Sequence, residues 1–510
     1  MIPEEPVVPT GVPANWLTSV LAVVRSANET AYLHQAINGL DNLNAGVLTE
    51  VQLPGLEQAV GGLMRMASVW SRSRQDLVRM VLVLATRMAS RVPNARPSTS
   101  GLLADISRFC NEQAAIVRAV MEQDFRRESP RMWQVGPTLI RLCPEVFNTR
   151  QLRLGSFVQS VWQHFRSLPL PESIRLLINR SQAFSESINV VNGASVSDLR
   201  MLPEVNYRGE AGNDRGGLGR DWFATVAALI FSSQSSDPMG ALFAPSDGTD
   251  FIQLNLSRPY SADMRAAYYA VGRILAMSVI QQIPIGVPLP RMFFSRLLGR
   301  PVSLADVELD DPALYWRLMN VAQGGERLIR ASLGLDESEV CPTPEGFISG
   351  QLNGLIPAAA EERIGAIRDG FHSVLPVASV GSIITSDDLR SLVYGTPEIS
   401  VSDLVAHTRY DGVDFTAANE QIQWMWDWLR RSDNHVRRQF VRFITGLSQL
   451  PVDGMAGLQR GIYIRPSRMG DLAPRSHTCS FSLDMPVYRS AAELEEWMSV
   501  AVASDGFGME

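Results

Sequence analysis

Near the carboxyl end, the run Arg475-Ser476-His477-Thr478-Cys479 puts a thiol in a polar stretch beside an arginine and an imidazole. A cysteine attacks as its thiolate, and neighbouring cations raise the thiolate fraction. Leu472 and Pro474 just before it give the stretch a loop-like setting rather than an apolar helix. A lone cysteine is more often a small buried hydrophobe, so the polar flanks are what single this one out. In an extended strip, residues two apart share a side, so His477 and Cys479 project together. Two chemistries fit such a pair: hydrolysis by a Cys/His dyad, or a thiol that carries an acyl group.

Composition removes several rivals. Of 510 residues, 46 are basic and none of these is lysine; with 53 acidic residues the formal charge is −7. A Walker-type phosphate loop, a protein kinase and a pyridoxal or aldolase site each need a lysine. The acidic balance argues against bulk nucleic-acid binding. The four cysteines, Cys110, Cys143, Cys341 and Cys479, form no CxxC pair, and no HExxH run exists. We therefore expect no metal site, no cofactor, no disulfide framework and a reducing compartment. Met1-Ile2-Pro3-Glu4-Glu5 has no basic or apolar leader character, and apolar runs such as Met80 to Ala85 are far too short for a bilayer, so neither a secretory signal nor a membrane span is expected. The expected location is the cytosol, with delivery into a host cell's cytosol as a further conjecture.

The elements that must position this thiol follow from periodicity. The length suggests two to four domains. Residues 15–165 repeat apolar side chains at helical spacing, as in Leu77, Met80, Val81 and Leu84. This predicts an all-α N-terminal region over 1–169. Pro169 and Pro171 mark a change to mixed texture. Ser173–Asn179 predicts a strand, and Tyr207–Gly219 predicts tight glycine turns opening a helix over Asp221–Phe231. Met264–Ile283 is apolar nearly all round and belongs in the middle of a domain, with Pro284 and Pro288 ending it. A further helix is expected over Arg291–Leu298. Glu398–Asp414 is polar without a sustained period and predicts a flexible joint. Helices follow at Ile422–Leu429 and Val436–Ile444. Their arginines (Arg430, Arg431, Arg437, Arg438, Arg442) read as a solvated face. The last hundred residues have α+β texture.

From about residue 170 onward the chain resembles the catalytic domain of HECT-type ubiquitin-protein ligases. The likeness is distributed. Tyr207-Arg208-Gly209-Glu210-Ala211-Gly212 with Asp214, Gly216, Gly217, Arg220, Trp222 and Phe223 resembles the family's opening. Gly272-Arg273-Ile274-Leu275, Leu297–Leu304, Asp311–Tyr315, Phe443–Gly446 and Leu450-Pro451 follow its middle. Pro474–Cys479 matches the signature around the family's catalytic cysteine, and Leu483–Tyr488 resembles the run after it. After the cysteine the family usually has Phe-Asn, whereas this chain has Ser480-Phe481.

The resemblance implies an α+β, bilobal domain: an N-lobe over 170–405 with a conjugating-enzyme-binding subdomain at about 317–366, a hinge at 406–412 with His407, Thr408 and Tyr410, and a C-lobe over 413–510. It implies that Cys479 accepts ubiquitin as a thioester from a charged ubiquitin-conjugating enzyme and passes it to an amine of a protein substrate. Arg475, His477 and Thr478 would support the cysteine. Phe507 stands where the family has an aromatic needed for the second transfer. Glu510, with the terminal carboxylate, is our candidate for orienting the amine and accepting its proton. The helical N-terminal region would recruit substrate. Arginine keeps its proton, and at Arg296 and Arg300 it stands where the family often has lysine, so a lysine-free chain would resist modifying itself. Two other classes remain: a catalytically weak scaffold binding ubiquitin or a charged conjugating enzyme, and, more distantly, a cysteine hydrolase.

Overall fold

The computed structural model describes residues 168–210, 217–246, 249–375, 384–396, 398–411, 415–458, 460–467 and 472–503. It also describes Arg108, Asn111, Ala114, Arg153, Leu154, Phe157 and Val161, all helical. The chain divides into two compact units, Met1–Gln163 and His164–Glu510. The rest of the helical expectation for 15–165 lies outside the described residues.

In the second unit, β1 (Arg175–Ile178) pairs in parallel with β2 (Glu204–Tyr207) around the crossover helix α1 (Ala183–Gly193). Both strands alternate exposed and buried residues, and β1 falls within the stretch Ser173–Asn179 expected as a strand, with Leu177 on its exposed side. Helix α2 (Gly217–Phe231) begins four residues before the expected Asp221. Its face of Trp222, Phe223, Val226, Ile230 and Phe231 is buried. A short antiparallel pair, β3 (Phe243–Pro245) and β4 (Ile252–Leu254), follows.

The centre of this half is α3 (Ala262–Gln281). The Ser261 hydroxyl caps its start by accepting from the Met264 N–H, and Gln282 ends it in the left-handed region at φ 54°. The stop therefore comes just before Pro284, as a left-handed cap that the prolines only reinforce. α3 is buried along most of its length because α9 (Ala358–Val374) crosses it closely. Glycines make the crossing: a Cβ on Gly272 would lie 1.9 Å from the Ile367 carbonyl oxygen, and one on Gly370 2.0 Å from that of Tyr269.

Between them run α4 (Arg291–Leu297), α5 (Leu304–Asp310), α6 (Pro312–Gln323), α7 (Gly325–Leu333) and α8 (Pro344–Gly354). α6 to α8 enclose a small core of their own, Leu318, Ala322, Ile329 and Phe347. The stretch expected as one subdomain over 317–366 is thus divided. Its last part is α9, which belongs to the central crossing. Helix α10 (Ser386–Tyr394) starts with a reciprocal capping box between Thr385 and Asp388.

A second core begins at Ile399 and runs to Val502. It is built from α11 (Val401–Ala406), β5 (Thr408–Tyr410), α12 (Glu420–Arg431), α13 (Asn434–Thr445), β6 (Ile462–Pro466), β7 (Arg475–His477), β8 (Ser482–Met485) and α14 (Ala491–Ala503). The sheet order is β5-β6-β8-β7, with only the β7–β8 pair antiparallel. The α+β, two-lobed architecture expected from the sequence is present. The expected joint is displaced: Val401 and Leu404 are buried in the second core and β5 pairs with β6, so the chain passes between the cores before Ile399. The polar texture of Glu398–Asp414 concealed two anchors spaced at one helical turn.

Arginine does architectural work here. Arg258, Arg273 and Arg363 each reach two backbone carbonyls, and Arg437 reaches three. Arg273 is buried and closes the end of α1 through the Asn192 and Ala194 carbonyls. Arg437 closes the end of α12, so it is no mere solvated face, and Arg442 reaches Asp221 at 3.3 Å. A planar fork spans two acceptors in fixed geometry, which an ammonium cannot. Arg296 binds Glu361 through two nitrogens at 3.0 and 2.5 Å, and Arg300 donates to the Ile384 carbonyl.

Candidate active site

Cys479 sits in the turn joining β7 to β8. The antiparallel register pairs His477 with Ser482, leaving Thr478, Cys479, Ser480 and Phe481 as the connection. The Ser480 N–H donates to the His477 carbonyl at 3.1 Å, closing a β-turn with Cys479 as its third residue. The thiol is free and the residue is partly exposed. β7 is the edge strand of the sheet β5-β6-β8-β7.

His477 is held. Its Nε2 lies 3.0 Å from Asp484 Oδ2 across the hairpin, and Arg465 donates to the other oxygen of the same carboxylate. Burial by itself would raise the Asp484 pKa, but hydrogen bonds from Arg465 and His477 outweigh it and hold the carboxyl below its ordinary 3.8. A depressed native pKa stabilises the fold above the unfolded-state value and loses that contribution as pH falls through the native one. Asp484→Asn is accordingly expected to lower the urea midpoint at neutral pH. The two midpoints should converge as pH drops below 3.8; a constant gap down to pH 2 would contradict the assignment.

Thr478 and Arg475 flank the turn differently. The Thr478 hydroxyl packs over Gly217 at the start of α2, where a Cβ would come within 2.1 Å of it. Only glycine admits that approach. Arg475 lies opposite Asp484 on the exposed side of β7. Arg220, from the same turn of α2, donates to the Thr478 carbonyl at 2.5 Å and to the Thr445 carbonyl at 2.9 Å. Arg460 reaches the Cys479 carbonyl at 3.3 Å. Beside Arg220, buried Asp221 accepts from Arg180 at 2.5 Å and from Arg442 at 3.3 Å.

Phe481 closes the turn in the left-handed region, at φ 54°. For a side chain larger than asparagine or glycine this costs about 1–2 kcal/mol. The strain is held by burial: the ring is 7% exposed, within the second core, and the Arg220 guanidinium lies 4.9 Å above its centroid.

His407, Thr408 and Tyr410 are not beside the thiol in the chain's turn structure. His407 ends α11 with its Nδ1 3.1 Å from Asp403, Thr408 donates to the Leu404 carbonyl, and the Tyr410 hydroxyl accepts from Trp426 at 2.9 Å. Phe507 and Glu510 lie outside the described residues. Arg465 and Arg460 escaped the sequence reading, while Arg220 and Asp484 stood in the resembling stretches without a role assigned to them. Asp484 alone had a local signal, as a polar residue two after Ser482 on a strand. Elsewhere, α5 to α7 expose Leu309, Trp316, Leu328 and Leu333, with Val340 nearby. Among the described residues no group of His, Cys, Asp and Glu could hold a metal, and no helix is long and apolar enough to cross a membrane.

Comparison with known proteins adds an independent line. The profile of the HECT-domain (ubiquitin-transferase) family matches residues 229–335 and 345–510. The chain is 26% identical over 424 residues to the E3 ubiquitin-protein ligase UPL1 of Arabidopsis thaliana, covering 75% of this chain and 11% of that protein. It is 28% identical over 452 residues to the E3 ubiquitin-protein ligase HUWE1 of Mus musculus, covering 82% of this chain and 10% of that protein. With the E3 ubiquitin-protein ligase RSP5 of Chaetomium thermophilum it shares 27% identity over 380 residues, 68% of this chain and 45% of that one. The chain thus spans about a tenth of the first two relatives and under half of the third.

Proposed function

We propose, for a chain that belongs to the HECT-domain (ubiquitin-transferase) family, that Cys479 is the acceptor and donor of ubiquitin in a two-step transfer. In the first step the Cys479 thiolate attacks the thioester carbonyl carbon of a charged conjugating enzyme. The old C–S bond breaks, a new one forms, and the conjugating enzyme leaves as a thiolate. The exchange is nearly isoenergetic, so positioning governs it. In the second step a neutral amine of a protein substrate attacks the same carbon, the C–S bond to Cys479 breaks, and the amine surrenders a proton. We assign that proton to the side-chain carboxylate of Glu510, with the His477–Asp484 pair ordering the hairpin beside the thiol.

The observation that carries the reading is the turn itself: a free, partly exposed thiol at a sheet edge, inside the stretch matched by the family profile. The exposed apolar side chains on α5 to α7 suit the landing of a conjugating enzyme, as exposed aromatic and aliphatic groups do at interfaces. The first unit, Met1–Gln163, is assigned to substrate recruitment, and the site of action to the cytosol.

Incubation with activating enzyme, a panel of conjugating enzymes and ubiquitin is expected to yield an adduct on this chain that reducing agent removes. Release of free ubiquitin from chains instead would favour a hydrolase, and binding without any adduct would favour a scaffold. The absence of lysine adds a finer expectation. Arginine stays protonated, with a pKa above about 12, and does not attack a thioester. Ubiquitin stably attached to this chain should therefore map to the amino terminus by mass spectrometry. Abundant attachment elsewhere would end the protective reading.

A further inference from the structure

We infer that Arg220 and Phe481 are positioning residues that latch the Cys479 turn onto α2, and that the latched state is the one from which ubiquitin is discharged to an amine. The inference deepens the transfer reading above and rests on it. Arg220 belongs to the first core of this unit and Phe481 to the second. One guanidinium makes three contacts across the gap: the carbonyl of Thr478, the carbonyl of Thr445 and the face of Phe481. Thr478 precedes the nucleophile directly. Arg460, from the second core, takes the carbonyl of Cys479 itself. The backbone around the thiol is thereby fixed from both sides.

The latch uses a residue that the local backbone disfavours. A left-handed position in a hairpin turn suits glycine or asparagine. Phenylalanine is held there by burial of its ring in the second core, and the Arg220 guanidinium lies over that ring. Gly217 lets the turn come close enough for this, since any side chain would strike Thr478. The ion pair between Asp221 and Arg442 ties the same two surfaces one residue further along.

The two chemical steps ask different things of the turn. Loading is an exchange with a protein that brings its own thioester and has its own docking surface. Discharge needs the carbonyl carbon, the incoming amine and the base held together at once. Pinning the turn against α2 serves the second demand.

The test separates the steps in the full-length chain. Ubiquitin is loaded from a charged conjugating enzyme in a single turnover, and its discharge to free lysine, as a probe amine, is then followed. Phe481→Asn relieves the backbone while removing the ring; Arg220→Met keeps the stem and removes the fork. Each is expected to leave loading within about twofold and to slow discharge about tenfold, the size of one such ring–guanidinium contact. The double variant should be no slower than Arg220→Met, because the ring acts in the latch only through Arg220, whereas Phe481→Asn alone keeps the two carbonyl contacts, and Phe481→Tyr should discharge normally. Thermal melts by circular dichroism confirm that each variant is folded at the assay temperature; Phe481→Asn is expected to melt below the parent, because losing a buried ring costs more than the backbone strain relieved. If the parent loads but both variants discharge at its rate, or faster, the latch is wrong and the transfer reading stands. If the parent never loads, it is the transfer reading that falls.

Discussion

Cys479→Ala is expected to abolish the reducing-agent-sensitive ubiquitin adduct entirely, and Cys479→Ser to replace it with one that survives reducing agent. The reasoning is atomic. Among the described residues the only other free thiol is Cys341, which packs against the small core of α6 to α8, far along the chain from the hairpin. Serine preserves the size of the turn residue, so the β-turn from His477 to Ser480 and the Arg460 contact to the carbonyl of residue 479 have no reason to change. What changes is the bond: an oxygen ester is not cleaved by thiol exchange. Non-reducing and reducing gels run side by side read the outcome. An adduct on the alanine variant with the sensitivity of the parent's would place the nucleophile elsewhere and overturn the assignment.

Gly272→Ala is expected to be the most damaging single-methyl change in the first core. In the middle of a helix this substitution would ordinarily gain about 1 kcal/mol. Here the new methyl would sit 1.9 Å from the Ile367 oxygen and 2.7 Å from the Phe371 nitrogen, both backbone atoms of α9. Neither can swing aside as a side-chain end would, so α3 and α9 must separate. Overpacking of this kind costs roughly 1–3 kcal/mol and occasionally more, so a net loss of about 2 kcal/mol is expected. Gly350 in α8 supplies the control, because nothing lies within 4 Å of the position its Cβ would take. Gly350→Ala should be neutral or stabilising by up to about 1 kcal/mol. Urea unfolding followed by circular dichroism measures both. Equal midpoints for the two variants would mean that the α3–α9 crossing is looser than the structure has it.

The absence of lysine gains a second physical meaning from the fold. Resistance to self-modification would explain losing lysines from exposed positions. It does not explain why Arg273 and Arg363, both buried, each span two carbonyls. At such places arginine is the better side chain on geometry alone, since its fork is rigid and its charge is spread. At Arg296 the fork grips both oxygens of Glu361.

Much of this protein could be read along the chain. The polar run ending at Cys479 singled out the thiol that the fold sets in the β7–β8 turn, and the all-round apolar pattern of Met264–Ile283 marked the central helix, because both signals are local: a motif of adjacent residues and a 3.6-residue period. The mixed α+β texture and the strand at Arg175–Ile178 followed from the same short-range rules. What only tertiary structure decided lies between distant residues. Arg220 meets the Thr478 carbonyl across 258 positions, and no periodicity encodes a side chain's reach across a domain. Phe481 gives no hint in one dimension that its backbone is left-handed or that a guanidinium covers its ring. Thr408–Tyr410 looked like a polar joint because a three-residue strand shows its period only once a partner, β6, lies beside it. Local pattern selects the elements and singles out the candidate thiol; burial and long-range pairing settle where that thiol is held, since those free energies exist only after the chain has closed on itself.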